Sequence, residues 1–402
     1  MTEADRCRLC RAPGVRTFFE RERYPLWGGP VLPAESAAHL RFAALRVGIC
    51  LQCGFMSLTS PDPRQLSDLL YGGFYSSSNP ACDDPENVSD WRILNLLHFI
   101  DAQVGNPGGH VLEIGSYDGQ LLYQLRKRGF TVRGCEPNSI GQKAAAKHGF
   151  EVKQAYFGPG LYPAESFDLI VSRFVLEHVP EPLAFLAACR SALRPGGRVF
   201  LEVPDGADRV TNRVLGSFVP EHVSYFGQAS LSFALRRSGF LDGHFQVYPG
   251  GIIVAANGGN LDVSPEHPPT DPGDLISRAT SFEADVAKRI ESFRSILKTL
   301  ADQKKRIAIY GANSQTIECL HRSGLDEGLI RYVVDDDLLK EGLRLVGTSL
   351  QVHSFGQLVA DPVDAVIVSA YLSQEKMAAA VRERTGPRTS VVRFYPSPSL
   401  IP

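Results

Sequence analysis

The 402-residue sequence has no long apolar run. Stretches such as 252-IIVAA-256 stop far short of the ~20 residues a membrane-spanning helix needs, so no membrane partner is expected. It has no basic cluster either: 42 Lys and Arg are interspersed with 44 Asp and Glu, for a net charge of −2. A grip on a phosphate backbone needs cations gathered on one surface, so nucleic acid is not an expected partner. The first residues, MTEADRC, lack the basic-then-apolar profile of an export signal, which points to the cytoplasm. The fingerprint Gly-x-Gly-x-x-Gly is missing at the glycine turn 115-GSYDG-119, which disfavours a nicotinamide-dependent dehydrogenase. What is present argues for globular domains. A content of 44% hydrophobic and 21% charged residues is too apolar for disorder, and the length exceeds a single domain of ~100–200 residues.

Eight cysteines are the first positive feature, and four form two pairs, 7-CRLC-10 and 50-CLQC-53. A two-residue gap lets both thiolates of a tight turn face one metal ion, and two such knuckles complete a tetrahedral sulfur site. Gly54 follows the second pair, where the backbone needs freedom. Cys7, Cys10, Cys50 and Cys53 are therefore expected to hold a structural Zn2+, with a small β-rich insert between the knuckles. Two disulfides or two redox pairs are the alternatives. The absence of an export signal and of a thioredoxin-like context counts against both. Four sulfurs leave no open position for substrate, so the ion would organise the chain rather than react.

Strand and helix signals alternate from about residue 110 to 203: strands at 110-HVLEI-114, 131-TVRGCE-136, 167-FDLIVSR-173 and 198-RVFLEVP-204, with helical stretches between them. This pattern predicts an α/β fold built on a doubly wound, mostly parallel sheet. A Pro/Gly/Asp-rich stretch, 262-DVSPEHPPTDPGD-274, precedes a long amphipathic helix over 275–306, and the alternation then restarts at 306-RIAIYGANS-314. Four segments result: a zinc-binding module at 1–65, a helical lead-in with the central α/β domain at 66–262, a linker helix at 263–305, and a Rossmann-like unit at 306–402.

The segment 111-VLEIGSYDGQLL-122 reads as strand, glycine turn and helix start. Its carboxylates, Glu113 and Asp118, would repel a pyrophosphate but suit a cationic ligand that carries an amino acid and a ribose. S-adenosylmethionine is such a ligand. Glu136 ends the next strand, where a carboxylate can accept hydrogen bonds from both ribose hydroxyls. With the Pro-Gly-Gly turn of 194-RPGGRVFLEVPD-205, these features resemble class I methyltransferases. The expected cofactor set is Glu113, Gly115, Ser116, Asp118, Gly119, Glu136, Pro137, Phe157, Arg173, Glu177 and His178, with His178 mainly shaping the pocket.

On the substrate side, 216-GSFVPEHVSYFGQASL-231 places Glu221, His222 and Tyr225 within five residues. A histidine beside a carboxylate can serve as a general base near neutral pH, although a capping or core histidine is the plainer reading. Tyr71 and Tyr75, in a Gly/Ser-rich loop, are candidate phenol donors, with surface packing as the alternative.

Taken together, the chain resembles the TDP-sugar C-3′-methyltransferases of deoxysugar biosynthesis. The resemblance runs through 7-CRLC-10 with 50-CLQCG-54, 71-YGGFYSSS-78, 111-VLEIGSYDG-119, 135-CEPN-138, 177-EHV-179, 220-PEHVSYF-226, 309-IYGA-312 and 335-DDDLLKEG-342. It implies a monomer with a zinc module, a methyltransferase core and a Rossmann-like C-terminal unit, acting on a nucleotide-linked sugar. It also implies that a 4-keto sugar loses its C3 proton and the enolate takes the methyl. In that scheme His222 is the base, Glu221 orients it, and Tyr225 and Tyr75 complete the catalytic set. Four departures stand out: Val219 replaces a tyrosine, a His-Glu-His run reads Pro220-Glu221-His222, Ser77 replaces another tyrosine, and 314-SQTI-317 replaces an Ala-Lys-Gly-Asn-like run. An O- or N-methyltransferase on a related metabolite is therefore the alternative, ahead of a non-catalytic cofactor binder or a zinc-ribbon binding protein.

Overall fold

The computed structural model describes residues 6–63, 66, 88, 90–104, 108–241, 243–259, 271–324 and 327–401. Tyr71, Tyr75 and Ser77 lie outside the described residues. The chain begins with β1 (Val15–Leu26), the short β2 (Val31–Leu32), β3 (Arg41–Cys50) and β4 (Met56–Ser60). These strands form the β-rich insert between the knuckles and its continuation. β1 runs antiparallel to β3 with Val15 opposite Cys50, so the start of one strand and the end of the other bring the two cysteine pairs together.

Helix α1 (Trp91–Gln103) starts at Asp90, whose side chain accepts from the Arg92 N–H. Then follow β5 (His110–Ile114), α2 (Gln120–Lys127), β6 (Thr131–Cys135), α3 (Ser139–His148), β7 (Glu151–Lys153), β8 (Phe167–Arg173), α4 (Pro182–Ala192), β9 (Leu193–Pro204), α5 (Gly206–Thr211), β10 (Ser224–Tyr225), α6 (Gln228–Arg237), β11 (His244–Tyr248) and β12 (Gly251–Asn257). Seven of these strands form one sheet in the order β11-β12-β9-β8-β5-β6-β7. β5 to β9 pair in parallel, while β12 and β11 are antiparallel. β5 and β8 are nearly continuous apolar runs because helices cover both faces of the sheet. This is the doubly wound α/β architecture expected from the sequence, a class I methyltransferase fold. The Pro-Gly-Gly segment is a bulge at the start of β9 rather than a separate turn: Phe167 pairs with Leu193 and Leu169 with Arg198, and Gly196 takes up the bend at φ +77°. The strand order reverses between β5 and β8, and a ligand crevice forms beyond the carboxyl ends of strands at such a point.

β10 joins the N-terminal sheet instead, giving the order β1-β3-β4-β10. Helix α7 (Gly273–Asp302) buries Ala279, Phe282, Val286, Ile290, Phe293, Leu297 and Leu300, one stripe at spacings of three and four. Phe18 and Phe19 of β1, Phe218 and this stripe share a core with the last unit. That unit contains β13 (Ile307–Tyr310), α8 (Ser314–Ser323), β14 (Ile330–Asp335), β15 (Arg344–Leu345), β16 (Val352–Ser354), α9 (Gly356–Ala360), β17 (Ala365–Val368), α10 (Gln374–Thr385), β18 (Ser390–Arg393) and β19 (Ser399–Ile401). Its sheet runs β16-β14-β13-β17-β18-β19, parallel except for β19. Among the described residues no helix is long and apolar enough to cross a membrane.

Candidate active site

A cavity of about 1880 Å³ opens beyond the carboxyl ends of β5, β6 and β8, and all three parts of the chain line it. Gly115 follows β5 at φ +75°, and a Cβ there would lie 2.4 Å from Val175 Cγ2, so only glycine fits this turn. Gly119, also at φ +75°, opens α2. Glu136 is buried beside this turn. Its Oε2 accepts from Tyr117 N at 3.0 Å and its Oε1 from Asn138 N at 2.8 Å, so one carboxylate fixes both loops and keeps further lone pairs for a ligand. Burial raises its pKa, and the two backbone N–H groups oppose that rise.

Glu113, on β5, is 4% exposed, and burial pushes its pKa well above the carboxylate range. Among the described residues its Oε2 has no partner, nor do the buried Ser116 and Ser172 hydroxyls. Such orphaned buried atoms are uncommon in folded chains, and here they fit a polar ligand that completes the site. Arg173, also in the expected cofactor set, is held by Glu202 at 2.6 Å. Asp118, Pro137 and Phe157 line the same half of the cavity, and Phe157 packs edge-on against Phe185 at 5.3 Å.

The acceptor side is built from two loops tied together. Val223 N donates to the Glu177 carbonyl at 2.8 Å, and His178 Nδ1 donates to the Glu221 carbonyl at 2.7 Å. That bond fixes the tautomer of His178, so its Nε2 presents a lone pair towards Glu177, 4.0 Å from Oε1. The His222 ring stands edge-on to His178 with centroids 4.8 Å apart. Burial lowers the His178 pKa to about 4. Burial, His178 and the Arg209 charge together hold His222 well below its ordinary value. Both imidazoles are therefore unprotonated at neutral pH.

The carboxylate grouped with the two imidazoles is Glu177, not Glu221: one oxygen of Glu177 and one nitrogen of each histidine lie within 4.8 Å of one another. Glu177 is 2% exposed, neither of its oxygens has a hydrogen-bond partner among the described residues, and burial raises its pKa to about 8. The Glu221 carboxyl is raised to about 7 by burial and takes backbone N–H groups, including that of Gly29. The Tyr225 hydroxyl bridges the N–H and C=O of Val219, each at 3.1 Å, so that phenol holds the loop carrying His222. Sequence reasoning missed Arg8, whose guanidinium donates to the carbonyls of Pro180, at 2.7 Å, and Val223, clamping both histidine loops from within the first knuckle. It also missed Arg209 and Tyr371 on the far wall. No local pattern marks any of the three.

The four paired cysteines converge. Sγ of Cys7 and Cys53 are 3.6 Å apart, those of Cys10 and Cys50 are 3.5 Å apart, and all four lie within 4.8 Å of one another. A tetrahedral ion with bonds of ~2.3 Å sets sulfurs about 3.8 Å apart, so the cluster is compatible with zinc. All four cysteines are free of disulfides. The N–H groups of Leu9 and Cys10 point at Cys7 Sγ, both at 3.4 Å, and each knuckle ends on a left-handed residue, Arg11 (φ +63°) and Gly54 (φ +68°). None of the four lines the cavity.

Residues 90–242 match a family model described as a methyltransferase domain, and residues 274–393 match one described as a C-methyltransferase C-terminal domain. With the sheet order and the acidic glycine turn, this defines an S-adenosylmethionine-dependent methyltransferase. Among individual proteins, the chain is 25% identical to C-methyltransferase NovU of Streptomyces niveus over 385 residues, 91% of this chain and 90% of that one. It is 34% identical over 111 residues to the ubiquinone biosynthesis O-methyltransferase of Hahella chejuensis, a match spanning 26% of this chain and about half (47%) of the relative. The 1,6-didemethyltoxoflavin-N1-methyltransferase of Burkholderia thailandensis superposes with a TM-score of 0.40 at 17% identity, over 54% of this chain and 96% of that one.

Proposed function

We propose that this methyltransferase acts on a carbon atom of a nucleotide-linked ketosugar, with His222 as general base. One observation carries the reading: two unprotonated imidazoles, His178 and His222, stand edge-on at 4.8 Å in the cavity that the cofactor turn also lines. Methylation of a hydroxyl or amine needs little more than orientation, whereas a C–H bond must first be ionised, and a ketone makes its neighbouring C–H the easiest to ionise. His222 takes that proton, and the electron pair left behind becomes the enolate of the substrate. Glu177 is the carboxyl group beside the imidazolium that forms. His178, oriented by the Glu221 carbonyl, completes the pair. S-adenosylmethionine supplies the electrophilic methyl; Glu113, Ser116 and Glu136 would hold its amino-acid and ribose groups. The likeness to a C-methyltransferase along nearly the whole chain supports carbon as the acceptor. Zn2+ on Cys7, Cys10, Cys50 and Cys53 has a structural role in this reading.

The test uses deuterium oxide with the demethylated cofactor bound. A 4-keto sugar nucleotide should exchange its C3 hydrogen with the wild-type protein and not with His222→Asn, whose thermal melting reports an intact fold. Turnover without such exchange, giving a product whose methyl lies on oxygen or nitrogen by NMR, would replace this reading with heteroatom methylation.

A further inference from the structure

Four cationic side chains line the cavity: Arg92, Arg173, Lys340 and Arg209. The first three are neutralised: Arg92 by Asp90 at 3.0 Å, Arg173 by Glu202 at 2.6 Å and Lys340 by Asp335 at 3.2 Å. Arg209, half-buried on α5, has a guanidinium that meets neither a carboxylate nor a hydrogen-bond acceptor among the described residues. Of the nearby carboxylates, the buried Asp208 Oδ2 has no hydrogen-bond partner among the described residues and forms no ion pair with Arg209. Asp205 Oδ1 accepts from Asp208 N at 3.0 Å, Asp208 Oδ1 accepts from Asn212 Nδ2 at 2.8 Å, and neither residue lines the cavity.

The guanidinium carbon lies 5.9 Å from the centre of the Tyr371 ring on the C-terminal wall. Tyr371 is itself fixed, its N–H donating to Gln315 Oε1 at 2.7 Å and its ring packed on Tyr395 at 5.3 Å. Gly250 keeps the space open: a Cβ there would come 3.2 Å from Arg209 Nη2 and 2.7 Å from Leu372 Cδ1. The cofactor half of the cavity is lined by the acidic residues Glu113, Asp118, Glu136 and Glu177 and offers an anion no unpaired cation among the described residues. An unpaired guanidinium at the opposite wall, with its field reaching His222, is the complementary feature.

We propose that Arg209 is the phosphate-binding residue of the acceptor site, with Tyr371 forming the facing wall. The inference rests on the nucleotide-linked reading given above. It places the sugar between Arg209 and the His178–His222 pair, its anionic linkage on the planar fork that suits phosphate oxygens.

Calorimetry with uridine and thymidine diphosphates, in the presence of S-adenosylhomocysteine, tests this. The wild-type protein should bind at least one of them, and Arg209→Met should weaken that binding roughly 10- to 100-fold, the range for a charge-assisted hydrogen bond. Arg209→Lys should recover part of the loss, because the charge returns without the fork. The affinity for S-adenosylhomocysteine should stay the same in all three proteins, which shows an intact cofactor pocket. Undiminished nucleoside diphosphate binding by Arg209→Met overturns the assignment of Arg209 and leaves the substrate class standing. A wild-type protein that binds neither nucleotide yet methylates an uncharged ketone overturns the nucleotide-linked reading itself.

Discussion

Replacing Glu136 with glutamine probes the cofactor site without requiring a known substrate. The carboxylate accepts one backbone N–H on each oxygen, Tyr117 N at 3.0 Å and Asn138 N at 2.8 Å. Glutamine has the same shape but only one accepting oxygen. Either orientation of the amide turns its NH2 group towards one of these N–H donors, so one loop is released or one donor is left unpaired. Hydrogen bonds to a charged group are worth ~1.5–3 kcal/mol, and the ribose hydroxyls lose a charged acceptor as well. Affinity for S-adenosylhomocysteine should therefore fall ~10- to 150-fold, since each 1.4 kcal/mol is about tenfold. Titration calorimetry measures this directly, and the melting temperature of the ligand-free protein separates a local from a global effect. Binding that remains within about threefold of wild type, less than 1 kcal/mol, would refute the assignment of Glu136 as the residue joining turn to ribose.

Elemental analysis should find one zinc per chain, and Cys7→Ser with Cys53→Ser should lose it together with several degrees of thermal stability; a metal-free wild-type protein of equal stability would refute the structural role. Arg8→Met should slow deuterium exchange into the ketosugar at least tenfold while S-adenosylhomocysteine affinity is kept, because two carbonyls of the histidine loops lose their charged donor. Full exchange activity would show that the clamp does not set the loop. Stability of the ligand-free protein should decline as pH rises from about 6.5 to 8. Glu177 and Glu221 stay protonated in the fold up to about 8 and about 7, whereas the unfolded chain ionises them near ~4.3, so rising pH favours unfolding across that interval. Thermal melts of Glu177→Gln should show a shallower decline; an unchanged slope would mean that Glu177 is ionised in the fold.

What could be read from the sequence was local. The glycine turn, the acidic residue after β6 and the CxxC pairs are short patterns whose spacing follows from strand, turn and knuckle geometry. Alternating strands and helices likewise revealed the sheet. The partner of His222 was not legible, because adjacency in sequence suggested Glu221 while the fold turns that carboxyl towards Gly29 and gives its carbonyl to His178. Glu177, assigned to the cofactor, meets the imidazoles only because Val223 pairs with the Glu177 backbone across the two loops. Arg8, Arg209 and Tyr371 act through contacts between distant segments, and no periodicity encodes those. The Tyr225 hydroxyl also bonds both backbone groups of Val219, a contact that no pattern in the sequence marks.

The strand Ser224–Tyr225 finds its pairing partner in Met56–Ser57, far back in the chain. A fragment cut to residues 90–242, the extent of the methyltransferase match, would carry both histidines and the whole glycine turn. It would nevertheless lack the edge strand that receives Ser224–Tyr225, the arginine that holds Pro180 and Val223, and the wall that carries Tyr371. The portable piece of such a protein, for transplantation or recombination with a relative, is therefore the three-part assembly. Exchange of the N-terminal segment alone would be felt first at the two histidine loops, before any loss of the cofactor.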